Sequence, residues 1–194
     1  TVALSANNRE EVLHLLADNA IDLAIIMRPP DGADTVSEPF APLPQVIIAG
    51  TGHPLAARRG NRLAALAEAP FIVREHGSDT RISMDEAFAE RGFKPRIAME
   101  IKSFETIKQA VMAGMGVSFM SAHTVALELQ VGRLVVLDVA GFPVMRNWHV
   151  VHRRTKRLPP VAAAFKAFLL DEGAARLEKM MRLTPARRRP KKNS

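Results

Sequence analysis

Gly77-Ser78-Asp79-Thr80-Arg81, with a second stretch of the same character at Ser103-Phe104-Glu105-Thr106, decides the fold. Each is a small polar cluster between an apolar run and a segment with helical spacing. Before the first, Phe71-Ile72-Val73 reads as a strand; after it, Met84, Ala87 and Phe88 share one helical face up to Gly92. Before the second, a strand is expected from Ile97 to Ile101; after it, Ile107, Ala110 and Val111 line a helix closed by Gly114-Met115-Gly116. A further strand, Val117 to Met120, follows. Twice the chain therefore runs strand, polar turn, helix. A helix start carries free N–H donors and partial positive charge, so two such starts raised by one sheet suit an anionic ligand. The same residues also serve as ordinary helix caps.

Working outward, 194 residues with 47% hydrophobic composition are enough for a real core. There is no cysteine, which excludes disulfides, thiolate metal sites and a cysteine nucleophile. No apolar run approaches a membrane span and no secretion-signal pattern opens the chain, so a soluble, cytoplasmic protein without membrane contact is expected. The net charge of +7 is unevenly placed: the last thirteen residues hold six basic residues and no acid, leaving the body nearly neutral. That Pro-interrupted stretch, residues 181–194, reads as a disordered basic tail able to touch phosphates non-specifically.

Towards the N-terminus, Val2 to Ser5 reads as a strand, Asn7 and Asn8 as a turn capping a helix from Arg9, and Ile21 to Met27 as a second strand. Together they predict a parallel strand–helix–strand unit. Leu13 and Leu16 lie on flanks of that helix and are candidates for contact with a second copy. The stretch Arg28-Pro29-Pro30, continued by Pro39, Pro42 and Pro44, reads as too proline-rich for regular structure and as a crossing between subdomains. Val46 to Ala49 is a short strand, and Leu63 to Ala67 a short helix. Later come a helix near Val125 to Leu129 and strands at Leu134 to Val139 and Trp148 to His152. A final helix starts at Pro159-Pro160 and buries Val161, Phe165, Phe168 and Leu169.

These stretches together carry a resemblance. Asn8-Arg9-Glu10-Glu11-Val12, Ile21-Asp22-Leu23-Ala24-Ile25, His53-Pro54-Leu55-Ala56, Phe71-Ile72-Val73-Arg74-Glu75, Gly77 to Arg81, Glu105 to Val111, Gly114-Met115-Gly116 and Leu158-Pro159-Pro160 occur in order. The chain resembles the effector-binding domain of LysR-type transcriptional regulators over residues 1–172, and within them the branch that controls RuBisCO operons. The resemblance implies an α/β, two-lobed fold like type II periplasmic binding proteins, with the effector in the cleft. It implies lobe one at 1–44 and 155–180, truncated at its N-terminus, and lobe two at 45–154. The family's N-terminal winged helix-turn-helix, which would contact promoter DNA, is missing from this stretch.

The residues and the resemblance together single out Asn7, Arg28, Arg74, Ser78, Thr80, Arg81, Ser103, Glu105 and Thr106 as the effector-binding set. A guanidinium matches a phosphate in two-point fashion, so the three arginines fit an anion. The implied effector is a small anionic metabolite, a phosphorylated sugar or a nicotinamide nucleotide; no cofactor and no metal are expected. Asp79 stands where glycine is frequent in the family, and its carboxylate would repel a phosphate unless it turns away or pairs with Arg81. The resemblance further implies a homodimer or tetramer controlling carbon-fixation genes. A transporter's solute-binding protein shares the architecture and is the alternative. An enzyme is not expected: His76, Ser78 and Asp79 are adjacent in sequence, which is not how a triad is built.

Overall fold

In a computed structural model, residues 2–32 and 34–182 are described, the last by its backbone alone. The two strand–turn–helix units form as the apolar pattern predicts. Strand β3 is Pro70–Val73 and leads into helix α2, Asp79–Ala89; strand β4 is Arg96–Glu100 and leads into helix α3, Phe104–Met112. β3 and β4 pair in parallel, so both helices start at the same edge. β3 is buried along its length, and its far side meets Val117, whose N–H donates to Pro70 O at 2.9 Å.

Helix α1 spans Arg9–Ala17, β1 Ala24–Ile26 and β2 Thr35–Gly50. Strand β5 is Ser118–Ser121, α4 Ala126–Gln130, β6 Leu134–Val136, β7 Val144–Arg153 and α5 Pro160–Arg182. The larger sheet runs β1-β7-β2-β5, with β6 also on β2. Its frame is the long antiparallel pair of β2 and β7, in register from Thr35 opposite Arg153 to Gln45 opposite Val144.

The proline-rich stretch is therefore corrected in its second part: Arg28 to Gly32 carry no regular structure, as expected, but residues 35–44 fold as the first part of β2. From residue 35 to 44 β2 pairs only with β7, and β5 joins it from Gln45 onward. A proline lacks the ladder donor and survives where that donor would face an unpaired edge. Pro42 and Pro44 are in phase, and the register shift between Pro39 and Ala41 brings Pro39 into phase with them.

Two other expectations near the N-terminus fail. Residues 2–8 carry no strand and are largely exposed, and β1 pairs antiparallel with β7 rather than in a parallel unit. Leu16, offered as a surface residue, is 2% exposed and packs with Ala24, Ile26 and Val151. In α5 the buried line is Ala162, Leu169 and Gly173, while Val161 and Phe165 face outward. Gly173 lies so close to the Phe40 ring that a Cβ there would stand 2.8 Å from it. Lys166, on the same line, is held by Glu38 and by His152 Nε2 at 3.2 Å. At Gly173 and Lys166 a small and a paired residue thus face β2, while Leu169 is buried on the same side of the helix. α5 also extends to Arg182, so the expected tail boundary moves; residues 183–194 lie outside the described part.

The main core joins Phe71, Met84, Ala87, Phe88 and Phe119 under α2, with edge-to-face ring pairs such as Phe88 and Phe93 at 5.1 Å. A second core packs Ile107, Val111, Met120 and Val125 under α3. The predicted inner faces of both helices are therefore the observed ones.

Candidate functional site

Three helix starts meet. Asn8 caps α1 through the Glu11 N–H at 2.9 Å, Ser78 caps α2 through Arg81 N–H at 3.1 Å, and Ser103 caps α3 through Thr106 N–H at 3.2 Å. In each, the cap satisfies an amide in the first turn and leaves earlier ones without an intrahelical acceptor. The first turn of α1 sits between the other two starts. Arg9 lies 3.3 Å from Asp79 Oδ1, Glu11 accepts from Lys102 Nζ at 2.8 Å, and Gly77 borders Glu10 Oε2, which would stand 3.2 Å from a Cβ there. Gly77 has φ +82°, a conformation that favours glycine at this approach.

Of the sequence-derived set, Asn7, Ser78, Thr80, Ser103, Glu105 and Thr106 fall around this meeting point. Asn7 is exposed and donates to Glu11 at 3.0 Å, which ties it to the Lys102 side. Thr80 is half-buried, whereas Ser103 and Thr106 are exposed. Glu105 is exposed, pairs with Lys108 at 2.8 Å and accepts from Gln109 at 2.9 Å. Lys108 and Gln109 hold the Glu105 carboxyl below the usual carboxylate range.

The three arginines are used differently from the expectation. Arg81 is 7% exposed, and its guanidinium contacts Asp85 at 2.9 Å, Glu100 at 2.8 Å and the Arg74 carbonyl at 3.1 Å. Arg74 is 8% exposed, forks onto Glu75 at 2.7 and 2.9 Å, and its Cζ lies 4.0 Å over the Phe104 ring. Arg28 pairs with Glu86, which also meets Arg146 at 3.5 Å. A buried guanidinium needs a carboxylate, and Arg74 and Arg81 have each found one within the protein, as has the part-exposed Arg28.

Asp79 does not pair with Arg81. Its Oδ2 accepts the Met27 N–H at 3.0 Å and the Arg28 N–H at 3.3 Å, so the carboxylate turns away from the start of α3. Burial pushes its pKa up, against these hydrogen bonds and the charges of Arg9 and Arg28, which pull it down. Sequence reasoning missed Arg9, Glu11 and Lys102 as parts of the site. Their partners lie far along the chain, and no local pattern announces such a pair.

The chain belongs to the LysR substrate binding domain family, which it matches over residues 1–174. It is 47% identical over 171 residues to the HTH-type transcriptional regulator CfxR of Cupriavidus necator, a match covering 88% of this chain and 54% of that protein. It is 46% identical to the RuBisCO operon transcriptional regulator of Allochromatium vinosum, over 88% of this chain and 57% of that one. The chain thus spans little more than half the length of these relatives. Among solved structures, the CcmR regulatory domain of Synechocystis PCC6803 in complex with 2-PG superposes with a TM-score of 0.82 at 36% identity, covering 88% of this chain and 82% of that one. The fold is the two-lobed α/β, type II periplasmic-binding-like architecture of LysR effector domains. The family match sets aside the transporter alternative, and the relatives are transcriptional regulators. Among the described residues no helix is long and apolar enough to cross a membrane.

Proposed function

We propose that this chain is the effector-sensing part of a cytoplasmic LysR-type regulator of carbon-fixation genes, and that a small anion is its effector. The observation that carries the reading is the convergence of the α1, α2 and α3 starts, tied together by Arg9 with Asp79 and Glu11 with Lys102. The anion sits against the open amides of α2 and α3, with Ser78, Thr80, Ser103 and Thr106 around it and Lys102 as the exposed cation beside it. Arg74 and Arg81 then act by holding the floor of the site rather than by touching the ligand. Lobe one comprises residues 1–44 and 155–180 and lobe two 45–154, with β2 and β7 crossing between them.

Promoter DNA is contacted by a winged helix-turn-helix outside these residues, in a homodimer or tetramer. The chain itself performs no catalysis. The 2-PG bound by the similar CcmR domain is the first compound to try. Calorimetric titration of the chain with 2-PG, and then with phosphorylated sugars and nicotinamide nucleotides, tests the reading. Saturable binding that raises the unfolding temperature supports it, and no binding by any of these anions removes it.

A further inference from the structure

Lys102 is the cation on which the anion reading relies, and it already has an anionic partner within the chain. Its Nζ donates to Glu11 Oε1 at 2.8 Å, from a residue 91 positions away in sequence. The other oxygen, Glu11 Oε2, accepts from Asn7 Nδ2 at 3.0 Å. One carboxylate therefore holds, at the same time, the exposed cation of the site and a polar donor of the expected effector-binding set. Glu11 is the third residue of α1 after its cap Asn8, a position where glutamate ordinarily serves its own helix start. Here its oxygens also reach Asn7 and Lys102. The contacts are strong enough to hold the Glu11 carboxyl below the usual carboxylate range, Lys102 contributing most and Asn7 next, while Glu11 raises the Lys102 ammonium in return.

This pair can exchange partners where the buried arginines cannot. Lys102 is 65% exposed and Glu11 41%, so a released Glu11 regains water at little cost. Arg74 and Arg81 are buried, and each would be left as an uncompensated charge if its carboxylate moved away. A ligand carboxylate or phosphate offers Lys102 and Asn7 what Glu11 offers them, negative charge spread over two or more acceptor oxygens. Two such groups on one ammonium repel each other, so a gain by one is a loss for the other.

We propose that Glu11 is a built-in competitor for the effector: its carboxylate holds Lys102 and Asn7 until a carboxylate or phosphate group of the ligand displaces it. The inference rests on the anion reading and names how that site is regulated. Glu11 sets the ligand concentration the site responds to, and its displacement breaks the tie between α1 and the residue before the α3 cap.

The test is a double-mutant cycle of the native chain, Glu11→Gln, Lys102→Met and the two combined, titrated calorimetrically with 2-PG. Gln keeps an oxygen for Asn7 but lacks the charge that holds Lys102, and circular dichroism checks that each variant is folded. Glu11→Gln should bind about two- to fivefold more tightly, the range of an exposed ion pair. In the Lys102→Met background the same change should add nothing, because Glu11 then has no cation to withhold. Native or weaker affinity in Glu11→Gln overturns the competitor and leaves the anion reading standing. A gain that persists in the Lys102→Met background means that Glu11 only repels the anion from a distance, and this also overturns it. If neither the native chain nor Glu11→Gln binds 2-PG, phosphorylated sugars or nicotinamide nucleotides, the anion reading falls and the competitor falls with it.

Discussion

Arg9 and Asp79 stand 3.3 Å apart, yet no hydrogen bond joins them. Arg9 Nε donates instead to the Arg28 carbonyl at 3.1 Å, and Asp79 spends its other oxygen on the N–H groups of Met27 and Arg28. The end of β1, the first turn of α1 and the start of α2 are thereby fastened at one carboxylate. Its charge is only partly compensated, which is why burial dominates and its pKa rises.

Asp79→Asn should therefore leave stability at neutral pH unchanged or slightly higher. The amide oxygen still accepts from Met27 and Arg28, and the desolvated charge is gone. Asp79→Ala removes the acceptor from both N–H groups and should cost about 1–3 kcal/mol. The pH dependence separates them further. A carboxyl whose folded pKa is raised binds a proton more tightly when folded, so its contribution to stability declines as pH rises from the ordinary carboxylate value through the raised one. Urea unfolding across that window should show the decline in the native chain and its absence in the Asn variant.

Thr106→Leu and Thr80→Leu test the proposed anion site. Thr106 is exposed and Thr80 half-buried, so both variants should fold, with the second slightly less stable. Each places a bulky apolar group where the open amides of α3 or α2 would meet the anion. Calorimetric affinity for 2-PG should fall in both, by roughly tenfold or more if a charge-assisted contact is lost. Native affinity in both would take these residues out of the site.

Arg81→Met should destabilise the chain without a change of fold. Asp85 and Glu100 would lose their guanidinium partner, and the Arg74 carbonyl would lose its donor. The two carboxylates are roughly half exposed and recover water, which limits the cost to about 1–3 kcal/mol. Glu100, held below the usual carboxylate range mainly by Arg81, should titrate nearer its ordinary value in the variant. NMR titration of the Glu100 carboxyl reads this directly, and an unmoved titration would show that the pair is not maintained in solution.

Gly116→Ala should be among the most damaging single-methyl changes. A Cβ at Gly116 would stand 2.2 Å from the Pro70 carbonyl oxygen, the atom that accepts the Val117 N–H. Backbone must move for the methyl to fit, which separates β3 from the strand leading into β5. A loss of about 1–3 kcal/mol is expected from overpacking alone. Hydrogen exchange should show the loss concentrated at the Ile72 and Val117 amides.

The sequence was most legible where one face of one element decides the outcome. Ser78 and Ser103 cap the helices they were expected to cap, and Met84, Ala87, Phe88, Ile107 and Val111 are buried as their spacing predicts. It was least legible where a neighbour decides. Pro39, Pro42 and Pro44 read as loop, because nothing local shows that one side of β2 is an unpaired edge. Val161 and Phe165 read as core, because nothing local shows that β2 presents Phe40 and Glu38 and so favours Gly173 and Lys166.

The same division holds for the candidate site. Residue spacing by itself determined that two helices begin with polar caps after strands, since capping and periodicity act within a few residues. Only the tertiary structure decided which charges those starts can offer. Arg74 and Arg81 stand beside them in sequence but are buried against Glu75, Asp85 and Glu100; Lys102, next to Ser103, stays 65% exposed with Glu11 as its partner, and Arg9 is brought to Asp79 from α1. A charge in a folded chain is available to a ligand only after its partners within the protein are counted. Glu75 and Asp85 are close in sequence to the arginines they neutralise, but Glu100 reaches Arg81 through the pairing of β3 with β4, and Glu11 and Arg9 reach Lys102 and Asp79 through the packing of α1, which no local pattern announces.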